Sequence, residues 1–162
     1  MIIRKSKKED INRITEIYNE AVLHSIATMD IDVRDEKGAM IWYEDHNERY
    51  PILVAEVSGE VIGWISLSSW SNKKGYDPTI EISIYIENSF RSKGIGNKLF
   101  HEGIEIAKKL KYHSIIARIA GANQKSIYLH EKYGFNHIGT MKEAGFKFSK
   151  YIDIYIYQLI LD

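Results

Sequence analysis

Cysteine is missing from this chain, which excludes disulfides, thiolate metal centres and a cysteine nucleophile. Net charge is missing as well, because 22 basic and 22 acidic side chains cancel. No global field therefore draws the protein to nucleic acid or to an anionic membrane, and any phosphate site has to be local. Nor is there a run of about 18 apolar residues able to span a bilayer. Met1-Ile2-Ile3-Arg4-Lys5 passes straight into charged sequence, unlike a targeting segment. The expectation is a soluble, cytoplasmic protein with no membrane or nucleic-acid partner. His24, His46, His101, His113 and His137 show no His-Glu-x-x-His or comparable spacing, so no metal site is expected. The 162 residues fall in the range of about 100 to 200 expected for one domain.

What is present is a sequence of short strands and amphipathic helices. Ile2–Lys5 is extended in character, and Ser6-Lys7-Lys8-Glu9 has the spacing of a capping box for a helix running to about His24. Its apolar face is Ile11, Ile14, Tyr18, Ala21 and Val22. A loop follows over Ile26–Arg34, then a weaker helix from about Asp35 to Glu48, ended by Tyr50-Pro51 because the residue before proline disfavours helix. Ile52–Val57 and Val61–Leu67 flank Ser58-Gly59 and read as an antiparallel hairpin. Ser68–Pro78 reads as an exposed loop. After a strand at Thr79–Glu87 comes a helix of about four turns whose buried face holds Leu99, Gly103, Ile106, Ala107 and Leu110. Ser114–Ile119 reads as a strand parallel to the one before it, because the return passes through that helix. A helix from about Asn123 to Tyr133 stops at Gly134, and strands near His137–Met141 and Tyr151–Leu161 close the chain. The order predicts an α/β or α+β domain with a mixed sheet.

The most informative stretch is Thr79–Phe100. Ile80, Ile82, Ile84 and Ile86 alternate with Thr79, Glu81, Ser83, Tyr85 and Glu87, which puts an apolar row and a polar row on opposite faces of one strand. Arg91-Ser92-Lys93-Gly94-Ile95-Gly96-Asn97 follows at a helix start. There the first free N–H groups and the positive end of the dipole suit a phosphate, with the glycines allowing close approach. No Gly-Lys-Ser or Gly-Lys-Thr follows, which excludes a nucleotide-triphosphate loop, and the three glycines of the dinucleotide fingerprint are lacking. Coenzyme A fits better: its pyrophosphate suits the helix N-terminus, and its pantetheine arm suits the backbone of the preceding strand.

Arg91-Ser92-Lys93-Gly94-Ile95-Gly96 resembles the Gln/Arg-x-x-Gly-x-Gly/Ala signature of GNAT acetyltransferases. Asn123 through Phe135 resembles that family's asparagine, helix and Gly-Phe segment, in the expected order. Further blocks extend the resemblance over nearly the whole chain, toward the branch of phosphinothricin and methionine-sulfoximine N-acetyltransferases. They are Ile17–Val22, Tyr50–Glu56, Gly75–Ile86 and Ala144–Lys147. The resemblance implies a GNAT fold: a mostly antiparallel twisted sheet flanked by helices, with a central parallel strand pair at the acetyl-CoA site. It also implies a homodimer that transfers acetyl from acetyl-CoA to the α-amine of a small amino acid or analogue. Its alternatives are a protein, peptide or polyamine acetyltransferase, or a non-catalytic acetyl-CoA-binding module.

The same resemblance proposes roles for single residues. Glu81 would accept the proton of the acceptor ammonium, directly or through water. His130, where the wider family commonly has a tyrosine, would protonate the departing thiolate. Ile84, Tyr85 and Ile86 would bind acetyl-CoA through their backbone, with the Ile84 N–H as an oxyanion donor. Arg91 and the run Ser92, Lys93, Gly94, Ile95, Gly96 and Asn97 would receive the pyrophosphate. Asn123 would contact the cofactor arm or cap its helix, and Lys132 would meet a CoA phosphate or remain solvated. Lys73, Lys74 and Gly75 match the branch's amino-acid substrate region. At Leu23 and Met29 the chain departs from phosphinothricin-type relatives, which carry an acidic residue and a phenylalanine there.

Overall fold

A computed structural model describes residues 1–162. Seven strands form one sheet: β1 (Ile2–Lys5), β2 (Ile52–Val57), β3 (Glu60–Ser69), β4 (Thr79–Ile86), β5 (Ser114–Ala120), β6 (Asn136–Lys147) and β7 (Lys150–Ile160). Their spatial order is β1-β2-β3-β4-β5-β7-β6. Only β4 and β5 run parallel, because they are joined by the helix α3 (Ile95–Lys109) while the other neighbours pair antiparallel. At the β2–β3 hairpin, Ser58 and Gly59 both take positive φ, 52° and 84°, which matches the right-handed twist of the flanking strands.

Each face of the sheet is covered. Leu53, Ala55, Ile65, Leu67, Ile80 and Ile82 pack with Leu99, Phe100 and Ala107 of α3 in the larger core. On the opposite face, α1 (Ile11–His24) buries Ile14, Ile17, Tyr18 and Val22 against Ile52, Val54, Val61 and Trp64. The Trp64 indole N–H donates to the Ile14 carbonyl at 3.1 Å, fixing that helix to β3. The short helix α2 (Glu36–Glu44) extends this layer, capped by Asp35, which accepts from the Gly38 N–H at 2.7 Å.

Two expectations need correction. The first helix does not begin with a Ser6–Glu9 box. A single 3-10 turn over Lys8–Asp10 precedes α1, and the carboxylate that caps it is Asp10, which accepts from the Lys7 N–H at 2.7 Å. Arg4 reaches the same carboxylate at 2.7 and 3.0 Å, so a strand-borne cation selected Asp10 over Glu9. The strand expected at His137–Met141 continues to Lys147. Register shifts at His137/Gly139 and Met141/Gly145 insert bulges that break the alternation from which a strand is read.

Candidate active site

β4 and β5 stay paired over only three residues each, Thr79–Glu81 with Ser114–Ile116. Beyond that point they part, whereas β3 stays registered with β4 as far as Gly63 and Ile86. The Glu87 N–H donates to the Ile62 carbonyl at 2.9 Å. Antiparallel alternation then turns the odd-numbered β4 amides toward β3 and the Ile84 and Ile86 amides toward the gap. The Ile86 carbonyl on that side is taken by Arg91 Nε at 3.0 Å. Ile84 keeps both backbone groups on the open side.

A cavity of about 660 Å³ runs from this gap to the start of α3. Ile84, Tyr85, Ile86, Arg91, Ser92, Gly94, Gly96, Asn97, Asn123 and His130 all line it. Gly94, the residue before α3, has φ 81°, a conformation that costs an L side chain about 1 kcal/mol or more. The cavity therefore ends on a helix N-terminus whose first N–H groups lack intrahelical partners. Lys125, which sequence reasoning passed over, adds a cation there, its Nζ 3.5 Å from Ser92 Oγ.

Three expected cofactor residues do not line this space. Ile95 is buried in the core, and Lys93 lies over the Phe90 ring with its Nζ 5.1 Å from the centroid. Lys132 donates to Asn97 Oδ1 at 2.9 Å, tying α4 (Gln124–Lys132) to α3. Asn123 does cap α4, accepting from the Ser126 N–H at 3.3 Å, so its amide N–H₂ is the part left for a ligand.

A second cavity of about 520 Å³ opens on the α1–α2 face. It shares Ile26, Ala27, Ile82, Ser83, Tyr85 and Arg118 with the first. Glu81 stands on its wall, and Arg118 grips Glu81 as a fork: Nε donates to Oε2 at 2.6 Å and Nη2 to Oε1 at 2.8 Å. Arg118 lies two residues beyond Ile116, the partner of Glu81, so the fork spans the point where the strands part. The pairing with Glu81 raises the Arg118 guanidinium above its ordinary value. Lys73, Lys74 and Gly75 are exposed in and beside the turn Lys74–Tyr76 and line neither cavity. The structure does not bring them to Glu81.

The other walls of the second cavity come from residues that sequence reasoning did not select: Tyr18, Arg34, Trp42 and Trp64. The Tyr18 hydroxyl donates to Asp30, and burial first, then this bond, raise it to about 12. Lys147, buried on β6, donates to the Thr28 carbonyl at 2.9 Å and so holds the α1–α2 loop over the site.

His130 requires a correction. It is 3% exposed and packs edge-on to Phe100 and Phe135. Burial pulls it down to about 4, against the opposing pull of its hydrogen bond to the Ser126 carbonyl. Nδ1 lies 2.7 Å from that carbonyl oxygen and must therefore carry the ring's proton, leaving Nε2 as an acceptor. A neutral imidazole with its only proton engaged is not the thiolate acid that the resemblance implied.

No group of three or more His, Asp or Glu side chains is arranged to hold a metal ion, and no helix is long and apolar enough to cross a membrane.

With this geometry established, comparison with known proteins gives the class. The acetyltransferase (GNAT) domain family matches residues 3–156, and the chain belongs to that family. It is 37% identical to the L-methionine sulfoximine/L-methionine sulfone acetyltransferase of Salmonella typhimurium, over 100% of this chain and 95% of that one. It is 36% identical, with the same coverage, to the L-amino acid N-acyltransferase MnaT of Escherichia coli. Among solved structures, a phosphinothricin acetyltransferase from Sinorhizobium meliloti in complex with acetyl-CoA superposes with a TM-score of 0.94 at 35% identity. That superposition covers 99% of this chain and 88% of the other.

The state of His130 is directly observable. Because its folded value lies below the ordinary value of about 6.5, its contribution to stability is complete above about 6.5 and is lost as the pH falls through about 4. Nitrogen NMR is expected to show a neutral, Nδ1-protonated ring down to about pH 5.5, with a midpoint near 4. A midpoint near 6.5 would place the imidazolium back in play.

Proposed function

We propose that this acetyltransferase uses acetyl-CoA to acetylate the α-amine of a small amino acid or amino-acid analogue. The observation that carries the reading is the meeting of two cavities at the parted strands, one ending on a helix N-terminus and the other walled by Glu81. The first suits acetyl-CoA. Ile84 leaves a backbone donor and acceptor on its open side, Gly94 permits close approach, and Arg91, Lys125 and the start of α3 gather positive charge. Acetyl-CoA supplies a thioester carbonyl for an amine to attack. The substrates for which the relatives are named, methionine sulfoximine, methionine sulfone and L-amino acids, support the acceptor class.

An acceptor arrives as an ammonium and has to lose a proton before its nitrogen is nucleophilic. In this proposal Glu81 takes that proton, directly or through one water. Arg118 donates one N–H to each carboxylate oxygen, which fixes the group while leaving each oxygen a further lone pair. The Ile84 N–H is the donor available to an oxygen on which negative charge develops. His130 lines the cavity as a neutral imidazole.

We further infer a homodimer working in the cytoplasm, the latter because the reaction draws on acetyl-CoA. For the dimer, β6 is a free sheet edge, and the β6–β7 hairpin exposes Ile138, Met141, Phe146, Phe148 and Tyr151. Light scattering is expected to return twice the 18.8 kDa chain mass; a monomer at micromolar concentration would overturn the dimer.

The activity itself is tested by CoA release across amino acids, methionine sulfone, methionine sulfoximine and phosphinothricin, each with its carboxylate free or amidated. Turnover is expected for the free acids, and Glu81→Gln is expected to lower kcat by roughly 10²-fold or more. Acetyl-CoA binding without turnover of any amino acid would sink the reading. Preference for peptides or polyamines would move the enzyme to another acceptor class.

A further inference from the structure

Arg34 is a cation without an ion-pair partner. Arg4, Arg13, Arg49, Arg91 and Arg118 each donate to a protein oxygen. The Arg34 guanidinium forms no ion pair with a carboxylate, and its Nη1 is buried without an acceptor, although Tyr18 and Asp30 lie close enough to act on the group. A buried, unpaired donor on a charged group is costly. Such a group calls for an explanation, and an acceptor from outside the chain is one.

Its surroundings hold it in place. Asn19 clamps its backbone from both sides, accepting from the Arg34 N–H at 2.8 Å and donating to its carbonyl at 2.9 Å. The guanidinium carbon lies 4.2 Å from the centre of the Tyr18 ring and 4.6 Å from that of Trp42, so both rings stack on the cation and limit its rotamers. Asp30, the acidic side chain on the same wall, accepts from the Tyr18 hydroxyl and makes no ion pair with Arg34. Arg34 is therefore held in place, keeps a donor without an acceptor, and lines the second cavity.

The location within that cavity identifies what it would take. Tyr18 packs on Tyr85 at 5.2 Å and Trp42 on Trp64 at 5.1 Å, and Trp64 pairs with Tyr85 across the β3–β4 register. Glu81 pairs with Ser68, four residues back along β4, or about 13 Å of strand. The Glu81–Arg118 fork and Arg34 thus stand at opposite ends of one cavity. An acceptor amine beside Glu81 directs the rest of its molecule toward Arg34.

We propose that Arg34 binds an anionic group at the end of the acceptor's side chain, so that the enzyme favours amino acids carrying a terminal carboxylate or phosphinate over neutral sulfones and amides. This rests on the amino-acid reading given above. A guanidinium packed against the Tyr18 and Trp42 rings has the planar N–H geometry that matches two oxygens of one anion.

The test pairs acceptors of similar length and opposite charge character, L-glutamate with L-glutamine and phosphinothricin with L-methionine sulfone, in the wild type, Arg34→Gln and Arg34→Lys. The wild type is expected to favour the anionic member of each pair in kcat/KM by roughly tenfold or more. Arg34→Gln is expected to erase that ratio chiefly through KM, by roughly 10- to 100-fold for the anionic acceptors, while Arg34→Lys keeps part of it. Equal loss across all four acceptors would mean that Arg34 holds the shared α-carboxylate or only supports the fold, and would overturn the proposal, as would a wild type with no anionic preference. Calorimetry of phosphinothricin with the CoA-bound enzyme separates the two layers. Binding that Arg34→Gln weakens, without acetylation of any amino acid, refutes the acetylation reading and keeps the anion site; absence of wild-type binding refutes the site.

Discussion

Beyond Glu81 and Ile116 the two parallel strands separate while β4 keeps its other neighbour, and the remaining features of the site follow from that separation. A sheet interior normally consumes every backbone donor and acceptor. Here the parting leaves the Ile84 N–H and carbonyl unspent, in a gap that connects the two faces of the sheet. One cavity runs from the gap to the N-terminus of α3, and the other spreads beneath α1 and α2. Arg118 on β5 and Glu81 on β4 bridge the point of separation by their side chains where the backbone ladder has ended. The two cavities thus meet at one place while opening on different faces of the sheet.

A chain with no net charge sets up this site by local sorting of charge. Positive groups gather where the first cavity reaches the start of α3, where Arg91 and Lys125 accompany the free amides of that helix. In the second cavity, Glu81 is matched by Arg118, while Asp30 and Arg34 form no ion pair. The buried imidazole of His130 stays neutral, because its pocket of Phe100 and Phe135 offers no anion to offset desolvation.

Local regularities were legible in the sequence. The alternation from Thr79 to Glu87 placed Glu81 on one face and the isoleucines on the other, as the core confirms. Apolar spacing located the first and third helices, and Gly94 and Gly96 marked the part of the first cavity at the start of α3. What was not legible depends on contacts between distant segments. Arg118 reads as an ordinary exposed strand residue until β5 is set beside β4. Arg34 sits in a loop without periodicity, and its two aromatic partners lie on separate helices. The Asp10 cap depended on Arg4 in another element, and the neutrality of His130 depended on burial that motif spacing does not report. Lys73 and Lys74 had the right charge for a carboxylate, but neither lines the cavity.

The central claim is that the Ile84 amide is unpaired in the free protein and becomes a ligand contact. Hydrogen exchange resolved at single amides tests it most directly. In the free enzyme, Ile84 is expected to exchange far faster than Ser83 and Tyr85, whose amides face β3, and addition of acetyl-CoA is expected to slow it by roughly tenfold or more. Protection of Ile84 equal to that of its neighbours before ligand is added, or no change on binding, would contradict the account.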